Sequence, residues 1–136
     1  MKGWKSLPVI AVFLLLLAGC QGNPLPSGME EETLLEAGQE VVLQVVDGDY
    51  EAIYAAFRPD VAQTMTSGDI EELVLRQLDG AGEYREITDR MATGQSSQGE
   101  RYGVAVFYCS YTRDKVLFRV AFDPQMSLIG LEVKRQ

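Results

Sequence analysis

The fold is decided by residues 101–122, which read RYGVAVFYCSYTRDKVLFRVAF. On either side of Arg113 and Asp114, apolar side chains recur with the period of two that is typical of half-buried strands. The sequence therefore predicts a β-hairpin of strands 101–111 and 115–122. With Thr112 opposite Lys115, one face of the hairpin is apolar apart from a single phenol, and it carries Ala105, Phe107, Cys109, Tyr111, Val116, Phe118, Val120 and Phe122.

A second hairpin follows, because PQMS at 124–127 separates the strand 115–122 from another alternating run at 128–134. Pairing Asp123 with Leu128 places the apolar residues of the run on the face already defined. Two hairpins that agree on one buried face indicate an antiparallel sheet that is covered on one side. Residues 84–93 are predicted to form a further, weakly patterned strand, and residues 94–99 a polar loop.

Helices that could cover this face precede the sheet. Ser27 with Glu30 fits a capping box, and apolar residues at helical spacing then predict a helix over 29–46 that is ended by Gly48. Three further predictions are a helix over 50–57 capped by Asp49, a short helical turn near 60–65 after Pro59, and a helix that starts at Asp69 and is ended by Gly80 and Gly82. The expected fold class is α+β, a single domain over 29–136, with N-terminal helices packed on one face of a curved antiparallel sheet of about four strands.

The N-terminus has the pattern of a targeting segment. Lys2 and Lys5 precede the run LPVIAVFLLLLA at 7–18. Twelve helical residues span roughly 18 Å, well short of the roughly 30 Å hydrocarbon core of a bilayer, so we interpret residues 1–19 as a signal peptide and not as a permanent membrane helix.

The next residue gives this segment a more specific interpretation. LAGC at 17–20 resembles the bacterial lipobox, in which the cysteine is acylated and the chain is cut just before it. The resemblance implies a lipidated Cys20, a flexible tether over 20–28, and a location on the extracytoplasmic face of a bacterial cell membrane. The alternatives are an ordinary secretory signal with an incidental cysteine, and an intact N-terminal anchor.

Composition excludes several classes of function. The 136 residues include 12 Lys and Arg, 20 Asp and Glu, and no His. Without an imidazole the chain cannot form a Ser-His-Asp triad, a Cys-His dyad or a His-ligated zinc site. Removal of residues 1–19 changes the formal charge from −8 to −10, which argues against nucleic acid as a partner. Two cysteines remain, Cys20 and Cys109. If Cys20 is lipidated, its thiol is not free to form a disulfide with Cys109.

Charge is unevenly distributed. Residues 30–89 carry sixteen acidic and three basic side chains, whereas residues 90–136 carry four acidic and seven basic ones. The pattern fits intramolecular complementarity and solubility; it also fits acidic helices that face a cationic partner or point away from anionic lipid. The acidic cluster of Glu30, Glu31 and Glu32 lacks the alternating oxygen ligands of a calcium loop. We expect no bound metal and no other cofactor.

Two groups of residues are candidate binding sites. On the sheet face opposite the core, the predicted register sets Tyr108 beside Arg119, and Arg119 beside Glu132. Arg119 could anchor an anion with Tyr108 as its hydrogen-bonding neighbour. The alternative is a cross-strand ladder in which Glu132 neutralises Arg119.

The second group lies on the second helix and at its exit, where Tyr50, Tyr54, Arg58 and Asp60 occur within eleven residues. The phenols could polarise a carbonyl, with Asp60 as a base. Aromatic residues four apart on a helix are, however, usually packing residues.

Three stretches together resemble a known family. They are VVDGDYEAIYAAFRPDV at 45–61, GEYREI at 82–87 and LFRVAFDPQMSLIGL at 117–131. They are similar to the bacterial domain of unknown function 3887, a nuclear-transport-factor-like (cystatin-like) cone domain common in lipoproteins of Gram-positive bacteria. The resemblance covers roughly 30–134 and implies no catalytic residues. Similar cones act as isomerases, dehydratases, ligand-binding pockets or non-catalytic modules, so the fold does not select a function.

The expected function is that of a lipid-anchored extracytoplasmic binding or accessory domain that is not an enzyme. Its expected partners are the membrane, through Cys20, and a small ligand or an envelope protein. The alternatives are a small cone-fold enzyme that uses Tyr and Asp groups, and a structural module that docks another protein through the acidic helices. The sequence leaves the oligomeric state open.

Overall fold

A computed structural model describes residues 23–136, so the predicted signal peptide and Cys20 lie outside the described residues. Four helices precede four strands. In chain order they are α1 (Glu31–Asp47), α2 (Tyr50–Ala56), α3 (Pro59–Ala62), α4 (Ser67–Leu78), β1 (Tyr84–Ser97), β2 (Glu100–Tyr111), β3 (Lys115–Phe122) and β4 (Leu128–Arg135).

The strands form one open antiparallel sheet in the order β1-β2-β3-β4, which confirms the predicted α+β class. β1 continues to Ser97, through residues that were predicted to be a loop. The turn needs only Gln98 and Gly99, whose φ angles are 53° and 82°. A two-residue turn with two positive φ angles closes a tight hairpin, so Ser97 pairs directly with Glu100.

The register between β2 and β3 differs by two residues from the prediction. Ser110, not Thr112, pairs with Lys115. The reason is that the amides of Thr112 and Arg113 donate to the carbonyl oxygens of Glu83 (2.8 Å) and Ala81 (2.9 Å), so they are not available for the ladder. A shift of two keeps every side chain on its predicted face.

The register between β3 and β4 is as predicted from Val116↔Arg135 to Ala121↔Gly130. It then shifts by one at Phe122, which pairs with Leu128. At the same place the chain segment between α2 and α3 joins the sheet, because the Arg58 amide donates to the Leu128 carbonyl oxygen at 2.8 Å. The start of β4 is thereby tied to the helical layer.

The N-caps of two helices differ from the predicted ones. The Ser27–Glu30 capping box is wrong: Glu30 is the N-cap of α1 without a side-chain cap, since Gly28 at φ 89° turns the chain before it. α4 begins two residues before Asp69, because Thr66 is the N-cap. The Asp69 amide donates to Thr66 Oγ1 at 3.1 Å, and the Thr66 amide donates to Asp69 Oδ2 at 3.0 Å. The predicted Asp49 cap of α2 is confirmed, as its side chain accepts from the Ala52 amide.

The space between helices and sheet is filled by side chains. The largest completely buried residues come from both layers: Phe107, Phe118, Leu34, Ile53, Leu128 and Val42. Phe57 and Phe122, also expected between the layers, are 8% and 4% exposed. A binding site of this domain must therefore lie at the edge of the core and not inside it.

Residues 23–29 lie against the β1–β2 hairpin. The Gly94 amide donates to the Asn23 carbonyl oxygen (3.2 Å), and Arg101 Nη2 donates to the Pro24 carbonyl oxygen (3.2 Å). A Cβ atom at position 94 would lie 1.9 Å from that Pro24 oxygen, so only glycine fits here. Pro26 is buried, so contacts with the domain begin before α1, within the segment expected to be a tether.

Candidate functional site: a groove lined by three tyrosines

A groove of about 900 Å³ opens at the end of the sheet where β1 begins and β2 ends. Its walls are the end of α1, the start of α2, one side of α4, and the segment that leads into β1. We call it the tyrosine groove because Tyr50, Tyr84 and Tyr111 line it together. Four aliphatic and four charged side chains complete the lining: Val45, Val46, Leu75, Leu78, Glu71, Asp79, Glu83 and Arg113.

The junction of α1 with α2 and the pairing of β1 with β2 bring the three tyrosines together. Gly48 ends α1 in the left-handed conformation (φ 74°), and Asp49 caps α2, so Tyr50 begins the second helix at the groove wall. Tyr84 and Tyr111 are paired residues at the end of the β1–β2 ladder. Their ring centroids lie 5.8 Å apart at an interplanar angle of 77°, an edge-to-face contact that fixes both rings.

Tyr50 and Tyr111 are buried and Tyr84 is half-buried, but their hydroxyl groups are not enclosed. Tyr50 is 7% exposed and Tyr111 is 8% exposed. No residue within 23–136 forms a hydrogen bond with the hydroxyl of Tyr50, Tyr84 or Tyr111, and in this part of the chain the one fully enclosed unpartnered side-chain atom is Gln44 Oε1. Because buried phenols usually have a hydrogen-bond partner, these hydroxyls are the natural polar contacts for a molecule in the groove.

The environment keeps these phenols neutral. Burial raises the pKa of Tyr111 to about 12, and the neighbouring Cys109, Tyr84 and Tyr50 contribute in the same direction. Burial, followed by the Glu71 carboxylate, raises the pKa of Tyr50, and burial also raises the pKa of Tyr84. At neutral pH the three side chains therefore donate and accept hydrogen bonds as uncharged groups.

Cys109 lies next to the groove tyrosines but does not open to solvent. It is 1% exposed, and burial raises the pKa of its thiol to about 11. A thiol that stays protonated at neutral pH is a poor nucleophile. Its position agrees with the interpretation of Cys109 as a small buried apolar residue.

A separate charge cluster is centred on Arg58. Its Nη1 atom contacts Glu100 Oε2 at 2.6 Å and Asp123 Oδ2 at 3.1 Å, and its Nε contacts Asp60 Oδ1 at 2.8 Å. Hydrogen bonds to Glu100, Asp60 and Asp123 raise the pKa of Arg58, and the Arg58 hydrogen bond lowers the pKa of Asp60. Asp60 is therefore a poor base. The cluster joins the start of α3 to the start of β2 at Glu100 and to the β3–β4 turn at Asp123.

The four binding residues suggested by the sequence do not come together. Tyr50 lines the tyrosine groove, whereas Tyr54 donates its hydroxyl to the Ala62 carbonyl oxygen at 3.1 Å and links α2 to α3. Tyr108 is 41% exposed on the opposite sheet face and pairs with Leu117 instead of Arg119. Arg119 Nε contacts Glu132 Oε1 at 3.3 Å, the cross-strand pair of the alternative interpretation.

Tyr84 and Tyr111 are the groove residues that the sequence did not suggest. One signal for them existed: Tyr111 is the single phenol on an otherwise apolar strand face. A phenol at the end of a buried face is a position where the ring packs and the hydroxyl reaches solvent. Tyr84 had no comparable signal, because it begins the weakly patterned strand.

Two further properties concern metals and membranes. Within residues 23–136, no group of three or more Cys, Asp or Glu side chains is arranged to hold a metal ion. None of the helices in the same range combines the length and the apolar character needed to cross a bilayer.

These features define a small α+β domain with a filled core and an open groove at one end of its sheet. The family model described as "Protein of unknown function (DUF3887)" matches residues 38–131, and the chain belongs to this family. A search of curated proteins finds no match. Among solved structures, the chain is similar to the NMR structure of a protein from Ruminococcus gnavus ATCC 29149. The TM-score is 0.68 at 24% identity, over 81% of this chain and 96% of the other, which supports the fold alone.

Proposed function

We propose that the chain is a lipid-anchored, extracytoplasmic binding domain that holds a small ligand in the tyrosine groove and performs no chemistry on it. The observation that carries the proposal is the pair Tyr50 and Tyr111, each more than nine-tenths buried, with hydroxyls that reach the groove without a partner in residues 23–136. Because the hydroxyls are open to the groove, a ligand contact replaces a contact with solvent and contributes about 1 kcal/mol per hydrogen bond.

The chemistry of the groove favours binding over catalysis. Its phenols have raised pKa values, so they remain protonated at neutral pH and their basic phenolate form is not populated. The nearby thiol of Cys109 is enclosed, and the carboxylate of Asp60 is committed to Arg58. General base catalysis works best with a group that titrates near the working pH, and none of these three kinds of group does so.

The anchoring part of the proposal is supported by the N-terminal sequence. The order of a basic start, a short apolar run and LAGC at 17–20 is the pattern of a lipidated precursor. Asn23, three residues after Cys20, is already in contact with the sheet through Gly94. A lipid on Cys20 would therefore hold the domain close to the membrane surface.

Anchoring is tested by replacing Cys20. We expect Cys20→Ala to lose the incorporation of labelled palmitate and to remain as the larger, uncut precursor in a bacterial host, because the thiol that is acylated is absent. Metabolic labelling with palmitate, gel electrophoresis and immunoblotting measure both changes. Cys109→Ala is the matched control and should keep the label and the mature size. Labelling of Cys20→Ala at the level of the unchanged protein would contradict lipid anchoring.

Binding in the groove is tested through the six tyrosines of the chain. With ¹³C-labelled tyrosine rings in the full chain purified in a maltoside detergent, NMR can follow each ring separately. Small amines, carboxylic acids, alcohols and sugars serve as probes. We expect a binding probe to shift the signals of Tyr50, Tyr84 and Tyr111.

The other three tyrosines, Tyr54, Tyr102 and Tyr108, are internal controls because they lie outside the groove lining. Tyrosine-to-phenylalanine variants assign the signals. If no probe at millimolar concentration shifts a groove tyrosine, or if all six signals shift together, the proposed binding function is wrong.

A further inference from the structure

The charges around the tyrosine groove restrict the class of ligand. Glu71, Asp79 and Glu83 line it together with one basic residue, Arg113. A second basic residue, Arg135, lies beside the lining, where its Nη1 donates to the Asp79 carbonyl oxygen, but its charge is paired with Asp114 at 3.6 Å. The part of the chain from 30 to 89, which supplies most of the groove wall, has sixteen acidic and three basic residues. The potential in the groove is therefore negative, and clefts with one sign of charge concentrate ions of the opposite sign.

The uncharged lining adds a second requirement. Val45, Val46, Leu75 and Leu78 form an apolar wall, and Leu75 and Val46 are 51% and 37% exposed. Tyr50 and Tyr111 are 7% and 8% exposed, so they offer a ligand their neutral hydroxyls, which can accept hydrogen bonds from N–H groups.

From this combination we propose that the ligand is an organic cation, in which an ammonium or guanidinium group is carried on an apolar frame. The cationic group lies near the tyrosines and the carboxylates of Glu71 and Glu83, and the apolar frame lies against Leu75 and Leu78. The inference rests on the proposed function, since it names the ligand class for the same groove. An anion of equal size would face three carboxylates, with Arg113 and the paired Arg135 in its favour.

The experiment compares two molecules of the same shape and different charge. Choline and 3,3-dimethylbutan-1-ol differ in that a quaternary nitrogen in the first replaces a carbon in the second. Both are titrated into the full chain with ¹³C-labelled tyrosine rings. We expect choline to bind about tenfold more tightly, because Glu71 and Glu83 attract its charge, as judged by the shifts of Tyr50, Tyr84 and Tyr111. Its affinity should fall as salt is added, because the groove carboxylates are solvated.

Variants then test the origin of the preference. Glu71→Gln and Glu83→Gln should each weaken choline binding by about threefold and leave the alcohol unchanged. Glu132→Gln is the matched control, since Glu132 is a similarly exposed carboxylate that pairs with Arg119 outside the groove. All three variants change exposed side chains, so folding is preserved.

The possible failures are distinguishable. Equal affinity for choline and the alcohol, or tighter binding of 3,3-dimethylbutanoate, would overturn the cation proposal and leave the binding function standing. Loss of choline binding in Glu132→Gln to the same extent as in Glu83→Gln would overturn the role of the groove carboxylates. If no molecule of any charge shifts a groove tyrosine, the proposed function itself fails, and this inference with it.

Discussion

Replacing Asp123 by alanine is expected to lower the free energy of unfolding by about 3 kcal/mol. Asp123 is 3% exposed. Its Oδ1 atom accepts hydrogen bonds from the amides of Gln125 (3.1 Å) and Ser127 (2.8 Å), and its Oδ2 accepts from Arg58 Nη1 at 3.1 Å. The alanine variant removes all three bonds at once and leaves two amides of the β3–β4 turn without their acceptor.

Two control variants separate the contributions at this position. Asp123→Asn keeps an oxygen for the amides of Gln125 and Ser127 and loses the charge that faces Arg58, so it should lose less stability than the alanine variant. Glu132→Ala removes the exposed pair with Arg119 and should change stability by less than about 0.5 kcal/mol. Urea denaturation followed by circular dichroism measures all three. A loss in Asp123→Ala no larger than that in Glu132→Ala would show that the buried carboxylate does not stabilise the turn.

The second large effect is expected at Gly38, where α1 crosses β2. A Cβ atom at this position would lie 2.7 Å from Ala105 Cβ and 2.8 Å from Phe107 Cε2. Alanine in a helix is favoured over glycine by up to about 1 kcal/mol, but this clash forces the helix away from the sheet or moves Phe107 in a filled core. We expect Gly38→Ala to destabilise the protein by about 2 kcal/mol net.

Gly68 in α4 is the matched control. A Cβ atom there would have no neighbour closer than Thr66 Oγ1 at 3.7 Å, so Gly68→Ala should be neutral or stabilising by up to about 1 kcal/mol. The double variant Gly38→Ala with Phe107→Leu should lose less stability than the sum of the two single variants, because the shorter side chain makes room. If Gly38→Ala is as stable as Gly68→Ala, close packing of α1 on β2 does not limit this position.

Much of the fold could be predicted because its strands have one buried face. The period of two in β2, β3 and β4 assigned the side chains to the correct faces, even though the β2–β3 register was two residues out. That register depends on the amides of Thr112 and Arg113, which bond to Glu83 and Ala81 about thirty residues earlier. Hydrogen bonds between distant segments leave no periodic signal in the sequence.

The groove was harder to predict for the same reason. Tyr50 belongs to an aromatic helix face that the sequence shows, but Tyr84 and Tyr111 become neighbours only when β1 pairs with β2. Arg58 shows the same limit: its partner Asp60 is close in the sequence and could be suggested. Its partners Glu100 and Asp123 are distant in the sequence and could not. Sites that are assembled from several elements need the tertiary structure.

The position of residues 23–29 has a consequence for access to the groove. They contact β1 at Gly94, whereas the tyrosine groove begins at Tyr84, the other end of the same strand. β1 is bulged twice between them, and their partners on β2, Gly103 and Tyr111, are eight residues apart, so the two points are separated by roughly 26 Å. Under the proposed anchoring, the sheet acts as a spacer with the lipid at its base and the groove at its top. Ligands would then arrive from the aqueous phase, and lipids diffusing within the bilayer would not reach the tyrosines.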